Sequence, residues 1–187
     1  MTGHFSLNLR YILWQQDKPQ ENWELEVATW AKCSEERALE LLKHTQPSEP
    51  ESEAISQATN YSQDELVFSN LLEESGLDIW QENVAYLVNS LAHGENSKLA
   101  KALDVASSTI SKWKNRQQRP EKTHRKGLYS FFEVPGLIDL EKDPIFLDLS
   151  PIFATAQRAW LHRQIDQLKG KTIQALFPAL ERLLRDS

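Results

Sequence analysis

Cysteine occurs once in the 187 residues, at Cys33, which excludes an intrachain disulfide framework. No stretch approaches the roughly 20 apolar residues a bilayer span needs, so no membrane association is expected. The opening residues lack the basic-then-apolar layout of a secretory signal. Only six glycines occur and none cluster, which leaves no backbone loop to cradle a phosphate. The five histidines, His4, His44, His93, His124 and His162, are scattered, with no pair at metal-ligand spacing and no cysteine pair beside them. No metal site and no cofactor is expected. Carboxylates are plentiful but fall on helix faces that read as solvated, so no catalytic set emerges and the chain is not expected to be an enzyme. The expected location is the cytoplasm.

Against these absences stand a hydrophobic content of 40%, ample for packed cores, and a very uneven charge. The formal net charge is −6. Residues 1–80 hold five Lys/Arg and fifteen Asp/Glu, residues 81–135 hold nine and five, and residues 136–187 hold seven of each. A basic middle between an acidic start and a neutral end is the asymmetry to explain.

The basic segment contains the most informative stretch, Asn96–Asn115. Leu99, Ala100 and Leu103 share one face of a short helix, Val105 sits in a tight turn, and Ile110 and Trp113 form the inner face of a second helix. Asn96 or Ser97 is the expected cap of the first. Ala100 is critical, because a side chain larger than methyl would push the second helix away. Ser107, Ser108, Thr109, Ser111, Lys112 and Lys114 are left outward, small hydroxyls and cations suited to phosphate oxygens and base edges.

At these residues the chain resembles the helix-turn-helix of the phage-repressor (Cro/C1-like, Xre-type) family of DNA-binding regulators. The resemblance is carried by residues 82–133, with flanking helices expected at Glu82–Leu91 and Thr123–Phe132. Asp104 stands where the family's turn usually has glycine, and aspartate tolerates the left-handed region better than most residues. The resemblance implies double-stranded DNA as partner, with the 107–115 helix in the major groove. Ser97 and Lys98 would grip phosphate, and Ser108, Thr109 and Lys112 would reach bases. Lys114, Asn115, Arg116 and Arg119 would lie along the backbone. It also implies a homodimer on two half-sites and, within the cytoplasm, association with the nucleoid. Lys122, His124, Arg125 and Lys126 stand at a helix start that would favour acids; phosphate neutralisation and a solvated basic face are both open.

Residues 6–72 repeat the pattern more weakly. Val27, Ala28 and Ala31 match Leu99, Ala100 and Leu103; Cys33 matches Val105; Ala38 and Leu41 match Ile110 and Trp113. Ser34 is the expected cap of the second helix. Here the outward positions are Glu35, Glu36 and Glu40, which would repel a duplex carrying one charge per ~1.7 Å of axis. A protein contact, dimerisation or structural support is expected of this copy instead. Gln46–Pro50 reads as a linker, followed by helices over Glu51–Ala58 and from Tyr61 to about Leu72, with Gly76 as a C-terminal cap.

The expected architecture is therefore all-α. Two lambda-repressor-like helix-turn-helix domains stand in tandem, residues 1–75 acidic and 76–135 basic, followed by a helical extension over 136–187. In that extension Asp143-Pro144 should start a short turn over Ile145–Leu147 and Ser150-Pro151 a long helix to Leu168. Thr172 should cap a last segment that Pro178 kinks or restarts. Its stripe of Ile173, Leu176, Leu180, Leu183 and Leu184 would dimerise or pack back on the same chain. The tryptophans read as core, Trp80 alone being a candidate for base stacking. Two functions follow. One is a sequence-specific DNA-binding transcriptional regulator, a repressor. The other is a protein-interaction adaptor or antitoxin-like component of a larger defence or mobile-element complex, acting through the acidic domain.

Overall fold

The computed structural model describes residues 4–92, 94–150, 157, 161, 165 and 168–185. Among the described residues there are eleven α-helices and no strand. The chain divides into two compact units, Met1–Ile79 with Pro144–Leu149, and Trp80–Asp143 with Ser150–Ser187. No helix among the described residues is long and apolar enough to cross a membrane.

The first unit holds α1 (Phe5–Gln15), α2 (Trp23–Ala31), α3 (Glu35–Lys43), α4 (Glu49–Thr59), α5 (Gln63–Phe68) and α6 (Leu71–Glu74). Phe5, Leu9, Ile12 and Leu13 recur at helical spacing on α1 and are all buried, as an amphipathic helix requires. They meet a core of Trp23, Val27, Ala38, Leu41, Leu42, Ile55 and Leu66. The expected linker at Gln46–Pro50 is shorter: residues 46–48 lie outside any helix, while Glu49 and Pro50 already belong to α4. Glu51 Oε2 accepts from the Ser48 backbone N–H at 2.7 Å and from Ser48 Oγ at 2.9 Å, so α4 starts at Glu49 with Pro50 in its first turn, where proline is tolerated. The single helix expected from Tyr61 to Leu72 is instead two. Ser69 is extended (φ −77°, ψ 152°) and Asn70 caps α6 by accepting from the Glu73 N–H.

A short strap, Pro144–Leu149, completes this unit. Its 3₁₀ turn, Ile145–Leu147, is buried, the Phe146 ring lies 5.1 Å from that of Trp14, and Arg10 Nη1 donates to the Leu147 carbonyl at 3.2 Å. The turn is where the aspartate–proline pair announces it. Its apolar side chains join the first unit's core, although the sequence reading grouped them with the extension.

The second unit holds α7 (Ile79–Asn89), α8 (Glu95–Ala102), α9 (Ser107–Lys114) and α10 (Arg125–Phe131). Trp80, Val84, Leu87, Val88, Leu99, Ile110, Trp113, Leu128, Phe132 and Leu140 are buried. Trp80 is 2% exposed and its Nε1 donates to the Pro120 carbonyl at 2.7 Å, which removes it as a stacking platform. α8 begins earlier than its polar residues suggested. Gly94 takes φ +85° as N-cap, and Glu95 turns its carboxylate back to the Ala92 N–H at 3.1 Å. Asn96 and Ser97 are therefore inside the helix and cap nothing.

The two units use the same local devices in the same order. Lys32 and Asp104 both adopt left-handed φ, +55° and +53°. The next residue returns to the first helix in each case, Cys33 N–H to Ala28 O at 3.1 Å and Val105 N–H to Ala100 O at 3.0 Å. A fully buried asparagine sits on the first helix of each. Asn8 Nδ2 donates to the carbonyls of Leu66 (3.0 Å) and Ser69 (2.8 Å), and Asn83 Nδ2 to those of Leu140 (2.8 Å) and Asp143 (2.7 Å). Left-handed Asn60 and Glu133, φ +62° and +54°, follow α4 and α10.

The last described helix is α11, Gly170–Arg185. It starts ahead of Thr172 and runs unbroken through Pro178, where a kink or restart was expected. The proline removes one amide donor and leaves the Gln174 carbonyl without it, on a stretch exposed throughout, so water can take the bond. Ile173, Leu176, Phe177 and Leu180 are 37–59% exposed. The helix expected over 151–168, and the side chains of Leu183 and Leu184, lie outside what is described.

Candidate nucleic-acid interface

The site is built on α9 and the turn that leads into it. Ala106 is its N-cap, extended at φ −68° and ψ 145°, with no side-chain acceptor. The Thr109 N–H turns to the Ala106 carbonyl at 2.9 Å, which leaves the Ser107 and Ser108 N–H groups for an outside acceptor, and a helix start of that kind favours anions. No acid lies in that first turn, and Lys112 and Lys114 lie in the last. Ile110 and Trp113 are buried at 0% and 1% exposure and turn the remaining face outward. Ser107, Ser108, Ser111, Lys112 and Asn115 are exposed, and Thr109 and Lys114 half-buried. Ser111 Oγ donates to the Ser107 carbonyl at 3.2 Å, which turns its hydroxyl back onto the helix. Ser108, Thr109 and Lys112, at i, i+1 and i+4, keep their polar groups on one outward side. On α8, Ser97 and Lys98 are both exposed, but they stand within the helix instead of at its start.

The cations fall into two sets. Lys98, Lys101, Lys112 and Lys114 make no ion pair among the described residues. Those beyond α9 are largely matched. Lys122 Nζ lies 2.7 Å from Glu141, and Arg125 lies 2.9 Å from Glu141 and 3.1 Å from Asp139. Arg125 also stands 5.2 Å over the Tyr129 ring. The Lys122 ammonium holds the Glu141 carboxyl below its ordinary value. For Lys122 and Arg125 the neutralising partner is therefore the 139–141 segment of the same unit, and no phosphate is required. Arg116, a proposed backbone contact, has its Nε 2.6 Å from Glu82. Arg119 is exposed.

At the corresponding places α3 differs at its start and on its outer face, although Lys43 lies in its last turn. It is capped: Ser34 Oγ accepts from the Arg37 N–H at 3.3 Å. Glu35, Glu36 and Glu40 are exposed, where α9 has Ser107, Ser108 and Lys112. Of these three, Arg37 pairs only with Glu40. Its Nε and Nη2 bind Glu51 at 2.9 and 3.0 Å, Nη1 binds Glu40 at 3.1 Å, and Nη2 also reaches the Gln46 carbonyl at 3.1 Å. The hydrogen bonds from Arg37 pull the Glu51 carboxyl down to about 2. A cleft of about 450 Å³ lies at the other side of this turn, lined by Ala31, Cys33, Glu51, Ala54 and Gln57 among others. Cys33 is half-buried, and burial raises its thiol above the ordinary value. A thiol in that state is poorly reactive.

Three residues of consequence escaped the sequence reading. Asn8 and Asn83 each interrupt an apolar helix face three residues before a tyrosine, Tyr11 and Tyr86, a repeated signature that could have been found. Glu82 gives no such signal, since its partner becomes apparent only when Arg116 takes φ +57°. Among the described residues no group of three His, Cys, Asp or Glu side chains could hold a metal ion. No family model, curated protein or solved structure matches the chain.

Proposed function

We propose that the chain is a sequence-specific, double-stranded-DNA-binding transcriptional regulator, a repressor, that reads the major groove with α9. The observation that carries this is the face of α9: uncapped at its start, studded with hydroxyls, and bearing lysines with no partner among the described residues. In this reading both units are helix-turn-helix domains of the phage-repressor type in tandem. Only the second has the chemistry for a groove. Ser108, Thr109 and Lys112 contact bases, while Lys98, Lys114, Asn115, Arg116 and Arg119 meet the backbone. Two copies of the chain bind two half-sites, and the chain works in the cytoplasm at the nucleoid. Selection from random duplex DNA at a stated salt concentration tests this directly. A palindromic enriched motif is the expected outcome, and no enrichment would sink it.

A second reading is favoured by α3, whose one arginine is tied inward to Glu51 and whose outer face is acidic. In that reading the first unit is the active surface of an adaptor or antitoxin-like component that binds a basic protein. The two readings combine if the units divide the work. Deleting residues 1–75 should then leave DNA affinity intact or raise it; a folded remainder that no longer binds DNA would refute the division.

A further inference from the structure

The first helix of the second unit, α7, grips the far end of the candidate reading helix at three points. Asn89 Nδ2 donates to the Lys114 carbonyl at 3.4 Å, Gln81 Nε2 donates to the Arg116 carbonyl at 2.8 Å, and Arg116 Nε donates to Glu82 Oε2 at 2.6 Å. Arg116 is itself left-handed at φ +57°, and its N–H returns to the Trp113 carbonyl at 3.1 Å. The two partners are unequally placed: the Glu82 side chain is 7% exposed and that of Arg116 45%.

A buried carboxylate held by a half-exposed guanidinium is a weak device for stability, because desolvating the carboxylate offsets most of the Coulombic gain. The first unit closes the corresponding helix end without it and by a different backbone path: the Thr45 N–H returns to the Glu40 carbonyl at 3.1 Å, as the Gln117 N–H returns to that of Lys112 at 2.8 Å. There Leu7 stands in place of Glu82 and His44 in place of Arg116, and His44 has φ −169° and ψ 9° where Arg116 is left-handed. The pair accompanies the cationic face and is missing from the acidic one.

We propose that Glu82 is a positioning residue for a phosphate contact made by Arg116. By accepting from Nε, the carboxylate fixes the plane of the guanidinium. Both Nη groups have no partner among the described residues, on a side chain that is 45% exposed, and so are left as a preformed fork for a phosphate of duplex DNA. A planar fork suits phosphate, and fixing it beforehand saves the entropy of ordering a long side chain. The proposal rests on the reading of α9 as a DNA-contacting helix.

A phosphate contact is independent of sequence, so the probe is a random-sequence duplex of about 25 base pairs, roughly two and a half turns. It is titrated with the full chain across a salt series. Glu82→Gln and Arg116→Gln should weaken binding equally and each flatten the salt slope by about one unit. The double variant should be no weaker than either alone, and Arg116→Lys, which keeps the charge without the fork, should not restore wild-type affinity. If Glu82 only neutralises Arg116, Glu82→Gln will bind as tightly as wild type or more tightly, and the proposal is overturned. A measurement on the unmutated chain covers the case in which Glu82→Gln does not fold. The Arg116 Nε–Hε resonance should stay protected from exchange before and after duplex is added, and loss of that protection on binding overturns the proposal. If the wild-type chain binds no duplex at all, the DNA reading fails and this inference falls with it; failure of the Glu82 variants alone leaves that reading standing.

Discussion

Transplanting the face of α3 onto α9 is the sharpest perturbation available. Ser107→Glu, Ser108→Glu and Lys112→Glu together recreate Glu35, Glu36 and Glu40 on the basic unit and shift the charge of one short helix by four. All three positions are exposed, so no packing is lost. Two new carboxylates would stand in a first turn that now holds no acid and no side-chain cap. There they stabilise the helix by about 0.3–1 kcal/mol each. Against DNA the sign reverses. A unit charge about 5 Å from a phosphate is worth about 0.8 kcal/mol at the dielectric constant of water, somewhat less with salt screening. Four such changes cost about 2–3 kcal/mol, and losing the base contact of Lys112 costs about 1–3 more. The sum corresponds to a loss of about 10²- to 10⁴-fold in affinity. Fluorescence anisotropy on a selected duplex at about 50 and 200 mM salt, beside a circular dichroism melt, reads both quantities. Unimpaired folding with strongly weakened binding is expected. A loss under about threefold with an unchanged melt would refute the assignment of α9 as the reading helix, since that loss is less than 1 kcal/mol.

Asn83→Ala removes two buried hydrogen bonds and strands the Leu140 and Asp143 carbonyls, which should cost about 2–4 kcal/mol. Asn8→Ala should cost a comparable amount, since it frees the Leu66 and Ser69 carbonyls and the Leu71 N–H from which Asn8 Oδ1 accepts at 3.1 Å. Hydrogen exchange read separately in the two units checks this, and unchanged protection in the mutated unit would contradict it. Glu51 gives a pH dependence whose sign is fixed. Its carboxyl is depressed from an ordinary value near 4.5 to about 2, so its stabilisation is complete above about 4.5 and disappears as pH falls through about 2. Protection of α3 and α4 should weaken over that window, and Glu51→Gln should remove this part of the pH response. Arg125→Ala should leave both duplex affinity and salt slope nearly unchanged, since Asp139 and Glu141 already match its charge. A slope reduced by about one unit would make it a phosphate contact after all.

The cores of both units were legible because helical periodicity records which side chains face inward. Val27, Ala28 and Ala31 match Leu99, Ala100 and Leu103 in spacing, and all six are buried. The left-handed turn was legible at Asp104, where the side chain is one that tolerates it, and illegible at Lys32, where nothing in the side chain signals the conformation. Element starts were misread where the device capping them is not the residue a sequence suggests: Gly94 with Glu95 for α8, Glu51 folding back on Ser48 for α4. The exposed face of α9 could be read from its spacing. How its cations are partnered could not, because each pairing joins residues distant along the chain, Arg116 to Glu82 and Lys122 to Glu141. Charge counts treat all nine basic residues of the middle segment alike, whereas the fold withdraws several of them from the surface field.

The division between inside and outside explains how one frame can carry opposite charge. Ala38 and Leu41, or Ile110 and Trp113, fix how the second helix sits on the first; the residues at 35 and 36, or 107, 108 and 112, are exposed, and of the acidic set Glu40 alone is tied in, by Arg37 Nη1 at 3.1 Å. Substitution there is nearly silent for stability and decisive for what the surface attracts. The supports behind the two surfaces differ as well. α3 has a side-chain cap and an inward-tied arginine, which complete the helix from within. α9 leaves its first-turn donors uncapped, and its far end is clamped by Gln81, Glu82 and Asn89. The uncapped start costs some stability and leaves donors at a surface where an acceptor would have to come from outside. Supports that differ together with the face they carry are what the proposed contact of α9 with DNA requires.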